Sequence, residues 1–282
     1  MRLVRYGDAG KEKPGVLDGN GAIRDLSSIV ADIDGAALTP EGQAKLRAAN
    51  VDSLPKVPGS PRLGAPVANP SKLVAIGLNY SDHAKESNMP IPGEPIVFMK
   101  ATTSICGPND TVLLPRGSKK GDWEVELAFV IGRKAQNVSE ADALSFVAGY
   151  TVCNDVSERE WQLEHGGQWV KGKSFDTFAP IGPWLVSADE IRDPQNLAMW
   201  LDLNGKRMQT GNTNTMIFGV RKLVSYLSYC MTLLPGDIVT TGTPPGVGLG
   251  VKPNPIFLKA GDTMRLGIDG LGEQKQEVKS AG

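Results

Sequence analysis

Residues 123–131 read Trp-Glu-Val-Glu-Leu-Ala-Phe-Val-Ile, nine positions without a glycine, a proline or a turn former. Rich in β-branched and aromatic residues, such a run propagates as a strand. A strand's period of two sets Trp123, Val125, Leu127, Phe129 and Ile131 on one face. The other face carries Glu124 and Glu126, then Ala128 and Val130. Neighbouring carboxylates on one face repel, and the apolar residues beyond them indicate a face that is not simply solvated. A cation between the two resolves the conflict. An edge strand with a charged outer face, a common guard against association, accounts for the pair equally well.

Further strand-like runs follow the same rules: LVAIGL, PIVFMK, FVAGYTVCN, IGPWLV, LAMWLDLNG, DIVTTG and DTMRLGI, separated by turns. With 33 Gly and 20 Pro the chain favours turns and strands over long helices. Helices are expected at SDHAKES, VSEREWQLE and FGVRKLVSYLSYCM, and one starting after Thr39, whose hydroxyl caps it, with Pro40 in the first helical position. No βαβ rhythm and no repeat is present, so a doubly wound parallel sheet is not expected. The proline-rich stretch 53–72 places a boundary near residue 66. The expected fold is a β-rich α+β chain, with a small N-terminal α+β domain over 1–66 and a catalytic domain over 67–282.

Thirty basic and 31 acidic residues leave a net charge of -1, with no field to draw the chain onto nucleic acid or an anionic membrane. A small-molecule partner is expected. Cys106, Cys153 and Cys230 form neither a complete set of pairs nor a C-x-x-C motif, which fits a reducing cytoplasm. The first residues, MRLVRYGDAGKEKPG, lack an apolar signal core, and no segment approaches the roughly 18 apolar residues of a membrane span.

A third carboxylate, Asp155, ends the run FVAGYTVCN, where a strand delivers it at the rim of a sheet. Asp155 and Glu158 also form a plausible capping pair for the following helix, and Asp155 taken alone is better explained that way. Three carboxylates without cysteine or histidine are hard oxygen ligands, suited to Mg²⁺ or Mn²⁺ rather than Zn²⁺. His83 stands three residues before Glu86, so one helical turn creates a His–Glu dyad in which the carboxylate orients the ring for proton transfer. An exposed helix pair of little consequence is the competing explanation, and the commoner one. His165, in Glu-His-Gly-Gly, reads as a helix terminus. In KGKSFDTFAPIGP, Lys173 is followed by Phe175 and Phe178, which can shelter an ammonium able to steady an oxyanion; Lys171 reads as a solvated loop lysine. Thr240–Gly248, TTGTPPGVG, offers hydroxyls and glycine amides to an anion but lacks the phosphate-loop lysine, and is otherwise a bland turn.

In order, NYSDHAKE, PIVFMK, DWEVELAFVIG, AGYTVCNDVSERE, KGKSFDTFAPIGP, QTGNTNTMIF and LPGDIVTTGTPPGVG resemble the fumarylacetoacetate hydrolase family over residues 67–282. The resemblance implies a rolled mixed β-sheet, Mg²⁺ or Mn²⁺ on Glu124, Glu126 and Asp155, and a homodimer. It further implies a water-activating dyad of His83 and Glu86, Lys173 beside a substrate oxygen, and substrate contacts from Arg159, Gln162 and Thr243. The implied reaction is hydrolysis of a carbon–carbon bond in a β-diketo acid, releasing pyruvate and a second acid. The substrate class spans acylpyruvates and 2,4-diketo-3-deoxy sugar acids, such as those derived from L-rhamnose or L-fucose. Two alternatives keep the same residues: a β-keto acid decarboxylase or isomerase, and a non-catalytic module binding metal and an organic acid.

Overall fold

The run around Glu126 forms the strand Val125–Ile131, and all seven of its residues are buried. In the computed structural model, which describes residues 1–282, this strand lies between two antiparallel neighbours, Val147–Asn154 and Ile238–Thr240. The edge-strand explanation of Glu124 and Glu126 therefore fails, because the strand is internal to the sheet and both glutamates are buried rather than on a charged outer face.

The main sheet runs in the order Ile23–Asp25, Lys13–Leu17, Arg2–Tyr6, Ala179–Ser187, Val147–Asn154, Val125–Ile131, Ile238–Thr240, Leu73–Gly77, Ile96–Lys100. Beyond Lys100 the chain makes a 3₁₀ turn at Thr102–Ser104, and the short strand Ile105–Cys106 then pairs parallel with Ala179 and Pro180. The far end of the sheet so returns to its middle, which closes a roll. Ile238–Thr240 and Leu73–Gly77 also pair in parallel while the other long ladders are antiparallel, so the sheet is mixed, as expected.

The odd face of Val125–Ile131 packs into one large apolar cluster with Met199, Leu201 and Leu266 of a second, five-stranded sheet. Leu223, Val224 and Leu227, the apolar stripe of the helix Val220–Cys230, close that layer. The even face continues from Glu126 into Ala128 and Val130, which share a second cluster inside the roll with Leu73, Ile181 and Ile238. That cluster also contains Leu3, Val16, Leu26 and Leu46 of the first 66 residues, whose strand Arg2–Tyr6 bonds directly to Ala179–Ser187.

Thr39 caps the helix Pro40–Ala48, accepting from the Gly42 amide at 3.1 Å. One helix is shorter than expected. Ser157 and Glu158 pair with Asp122 and Gly121, so the helix runs only over Arg159–Leu163, with Glu158 as its N-cap. Asp155 is not the cap. Lys173 ends a one-turn helix, Val170–Lys173, in a stretch expected to be loop. No helix is long and apolar enough to cross a membrane, and all three cysteines are free thiols.

Candidate metal centre

Strand parity turns Glu126 into the roll, and Glu124, one residue before the strand, shares its face. The register that sets Val125 opposite Asn154 brings Asp155 beside Glu124, whose carbonyl accepts from the Asp155 amide at 2.9 Å. One carboxylate oxygen from each of Glu124, Glu126 and Asp155 lies within 4.8 Å of the other two. They are 6%, 1% and 1% exposed, and a charge so buried costs several kcal/mol unless it is paired.

Two of the three are paired. The Lys173 ammonium donates to Glu124 Oε2 at 2.8 Å and to Asp155 Oδ2 at 2.7 Å. Arg159 Nη2 lies 2.7 Å from Glu124 Oε1 while its Nε donates to Asp122. Lys100 donates to Asp155 Oδ1 at 2.5 Å. Burial opposes ionisation of Glu124, but Lys173 and Arg159 outweigh it and hold the carboxyl well below the usual range. Burial likewise opposes the charge of Lys173, and Asp155 and Glu124 more than reverse this, raising its pKa.

Glu126 has no cation. Its one recorded hydrogen bond comes from the Gly242 amide at 2.9 Å. Burial, then repulsion from Asp155 and Glu124, push its pKa well up. Four buried carboxylates, counting Asp122, thus face three buried cations, and the shortfall falls on Glu126. An all-oxygen donor set with one uncompensated carboxylate suits a hard divalent ion such as Mg²⁺ or Mn²⁺.

The same cavity, about 380 Å³, takes in Glu124, Glu126, Lys173, His83 and Glu86. His83 sits on the helix Ser81–Glu86, its Nδ1 2.9 Å from Glu86 Oε2, so the turn does bring the pair together, and inside a cavity rather than on open surface. Glu86 Oε1 accepts from the Gly246 amide at 3.0 Å. Arg159, Gln162 and Thr243 also reach the wall. Arg159 Nη1 donates to Gln162 Oε1 at 3.0 Å, which leaves the Gln162 amide nitrogen as a donor. The Thr243 hydroxyl donates to the Val125 carbonyl and accepts from Gln209 Nε2, so its proton is committed within the protein and one lone pair is left to accept. His165 is exposed and stacks on Trp161 with centroids 4.4 Å apart.

Two expectations change in detail. The aromatic ring against the Lys173 ammonium is Phe98, at 5.3 Å, and Phe98 packs edge-on to Trp169; Phe175 and Phe178 pack on each other instead. The Thr240–Gly248 loop does hold anions with its amides, but they are the protein's own: Gly242 bonds Glu126, Gly246 bonds Glu86, and Gly248 bonds Asp122 at 2.6 Å. Asp122 was missed although parity announces it, two residues before Glu124. Lys100 was missed too, because a lysine closing an apolar run ordinarily reads as the strand's exit to solvent.

The family model described as fumarylacetoacetate (FAA) hydrolase C-terminal matches residues 72–279. The chain belongs to the fumarylacetoacetate hydrolase family. A Burkholderia ambifaria member, provisionally named a hydrolase, is 62% identical over 281 residues, covering 100% of both chains. Among solved structures, maleylpyruvate hydrolase from Sphingobium sp. SYK-6, in complex with manganese(II) and pyruvate, is 31% identical with a TM-score of 0.83 over 100% of both chains. The 2-hydroxyhepta-2,4-diene-1,7-dioate isomerase from Mycobacterium marinum is 35% identical with a TM-score of 0.79, over 100% of this chain and 99% of that one. The rolled mixed sheet is thus the fold of this family.

Proposed function

We propose that this protein hydrolyses a carbon–carbon bond in a β-diketo acid, giving pyruvate and a second acid, with Mg²⁺ or Mn²⁺ held by Glu124, Glu126 and Asp155. The observation that carries this reading is one cavity shared by Glu124, Glu126 and an oriented His–Glu dyad, with Asp155 grouped beside the two glutamates. The bound ion would act as a Lewis acid on the substrate's oxygens, stabilising negative charge that develops as the bond breaks.

The chain's own groups divide the remaining work. Glu86 holds His83 Nδ1, which leaves Nε2 to take a proton from a water aimed at the 4-oxo carbon. Two of the three Lys173 N–H groups are committed to carboxylates, and the third is available to the oxyanion formed by that attack. Collapse of the adduct leaves the electron pair on the pyruvate methyl carbon, and the proton held by His83 can return there. Leu78, Met89, Val247 and Leu249 line the same cavity beside Ser87, Gln162 and Lys252, a mixed wall that suits either an acylpyruvate or a sugar acid.

The test is turnover of acylpyruvates, 2,4-diketo-3-deoxy sugar acids and oxaloacetate in H₂¹⁸O with Mg²⁺ or Mn²⁺. Hydrolysis places ¹⁸O in the second acid alongside pyruvate. Carbon dioxide without a second acid would make the protein a decarboxylase. Likeness to the M. marinum isomerase favours isomerisation as the second reading, and a product of unchanged mass would establish it.

A further inference from the structure

Lys100 ends the strand Ile96–Lys100, the last in the sheet order, with three strands between it and the strand that delivers Asp155. Its side chain is fully buried and crosses the inside of the roll. The ammonium donates to Asp155 Oδ1 at 2.5 Å and to the Val156 carbonyl at 3.1 Å. Lys173 holds the other oxygen, Oδ2, so the carboxylate is gripped by a cation at each end. Unlike Lys173, Lys100 does not line the cavity, and neither does Asp155, the carboxylate it holds.

We propose that Lys100 is the positioning residue of the metal centre: it fixes the Asp155 carboxylate from behind, toward Glu124 and Glu126. The inference rests on the metal reading given above. Without Lys100, Asp155 would keep Lys173 as its one ionic partner, and Lys173 is already shared with Glu124. The carboxylate could then turn about its side-chain bond, and the donor set would have to be ordered at the moment of binding.

The test counts free Mn²⁺ by electron paramagnetic resonance, without substrate, in wild type, Lys100→Met, Asp155→Asn and the double variant. Lys100→Met should weaken Mn²⁺ binding about 10–100-fold, the usual loss when a partner behind a ligand is removed. In the Asp155→Asn background the same substitution should change the affinity less than about two-fold, since the group it acts through is gone. An unchanged or tighter affinity in Lys100→Met, or an equal loss in both backgrounds, overturns the positioning role and leaves the metal reading intact. Failure of wild type to bind Mn²⁺ overturns both. If Lys100→Met does not fold, wild type decides, by NMR of ¹⁵N-labelled lysine. Two ammonium resonances sheltered from exchange, Lys100 and Lys173, should both move as Mg²⁺ is added, and movement of one alone overturns the proposal.

Discussion

Glu126→Gln should stabilise the metal-free protein while destroying its response to metal. Two carboxylates stand within 4.8 Å of the Glu126 ligand oxygen. At an effective dielectric constant of about 20, each opposes its charge by about 3 kcal/mol, and Lys173 returns about one such increment. On the order of 3 kcal/mol then weighs against the ionised group. The raised pKa fixes the pH window. The folded chain holds a proton on Glu126 at pH values where the unfolded chain has released it, so stability present below the usual carboxylate range is lost as pH rises. The amide introduced by the substitution has no proton to lose and can still accept from Gly242. At roughly 2 °C per kcal/mol for a chain of this size, the variant should melt about 6 °C above wild type in EDTA at pH 7.5. The gap should shrink toward pH 5. Adding Mn²⁺ at about 100 times its Kd should raise wild type by about 2.7 kcal/mol and the variant far less. Calorimetric melts at both pH values, with EDTA or Mn²⁺, make the comparison. A variant that melts below wild type in EDTA at pH 7.5, or one stabilised equally by Mn²⁺, would refute the reasoning.

His83→Ala should lower kcat by about 10²–10⁴ while leaving the Mn²⁺ Kd unchanged, as expected if the ring moves a proton and holds no metal; titration of metal beside steady-state rates checks both. Gly77→Ala would place a methyl 2.3 Å from the Trp169 ring, which forms part of the cavity wall, so KM should rise and stability fall by about 1–3 kcal/mol in denaturant melts. Thr39→Ala removes the cap of the Pro40–Ala48 helix, far from the cavity, and should cost about 1 kcal/mol with kcat unaltered.

Strand parity made much of this molecule legible, because the period of two is local and survives any tertiary arrangement. It set Glu124 and Glu126 on one face and Trp123, Val125, Leu127, Phe129 and Ile131 on the other, and both faces are found as read. Helical spacing did the same for His83 and Glu86. Contacts across the roll were not legible. Lys100 meets Asp155 only because the sheet curls back on itself, and nothing in PIVFMK announces a partner 55 residues away. The capping role read for Asp155 gave way for a related reason. A local cap competes with whatever tertiary partners arrive, and here two ammonium groups claimed the carboxylate while backbone pairing at Ser157 and Glu158 moved the helix start. Glycine amides in TTGTPPGVG correctly signalled anion binding, but sequence could not tell that the anions were internal.

The strand Arg2–Tyr6 has one further consequence. It pairs with the end of Ala179–Ser187, at Leu185 and Val186, and that strand's other side bonds the strand leading to Asp155. A chain begun after residue 66 would leave Leu185, Val186 and Ser187 without that partner, and would uncover the apolar side chains, Ile181 and Leu185 among them, that Leu3, Val16, Leu26 and Leu46 cover. The opening residues bring no group to the cavity but cover that apolar surface, so a fragment cut to the boundaries of the family model should be recovered as insoluble material.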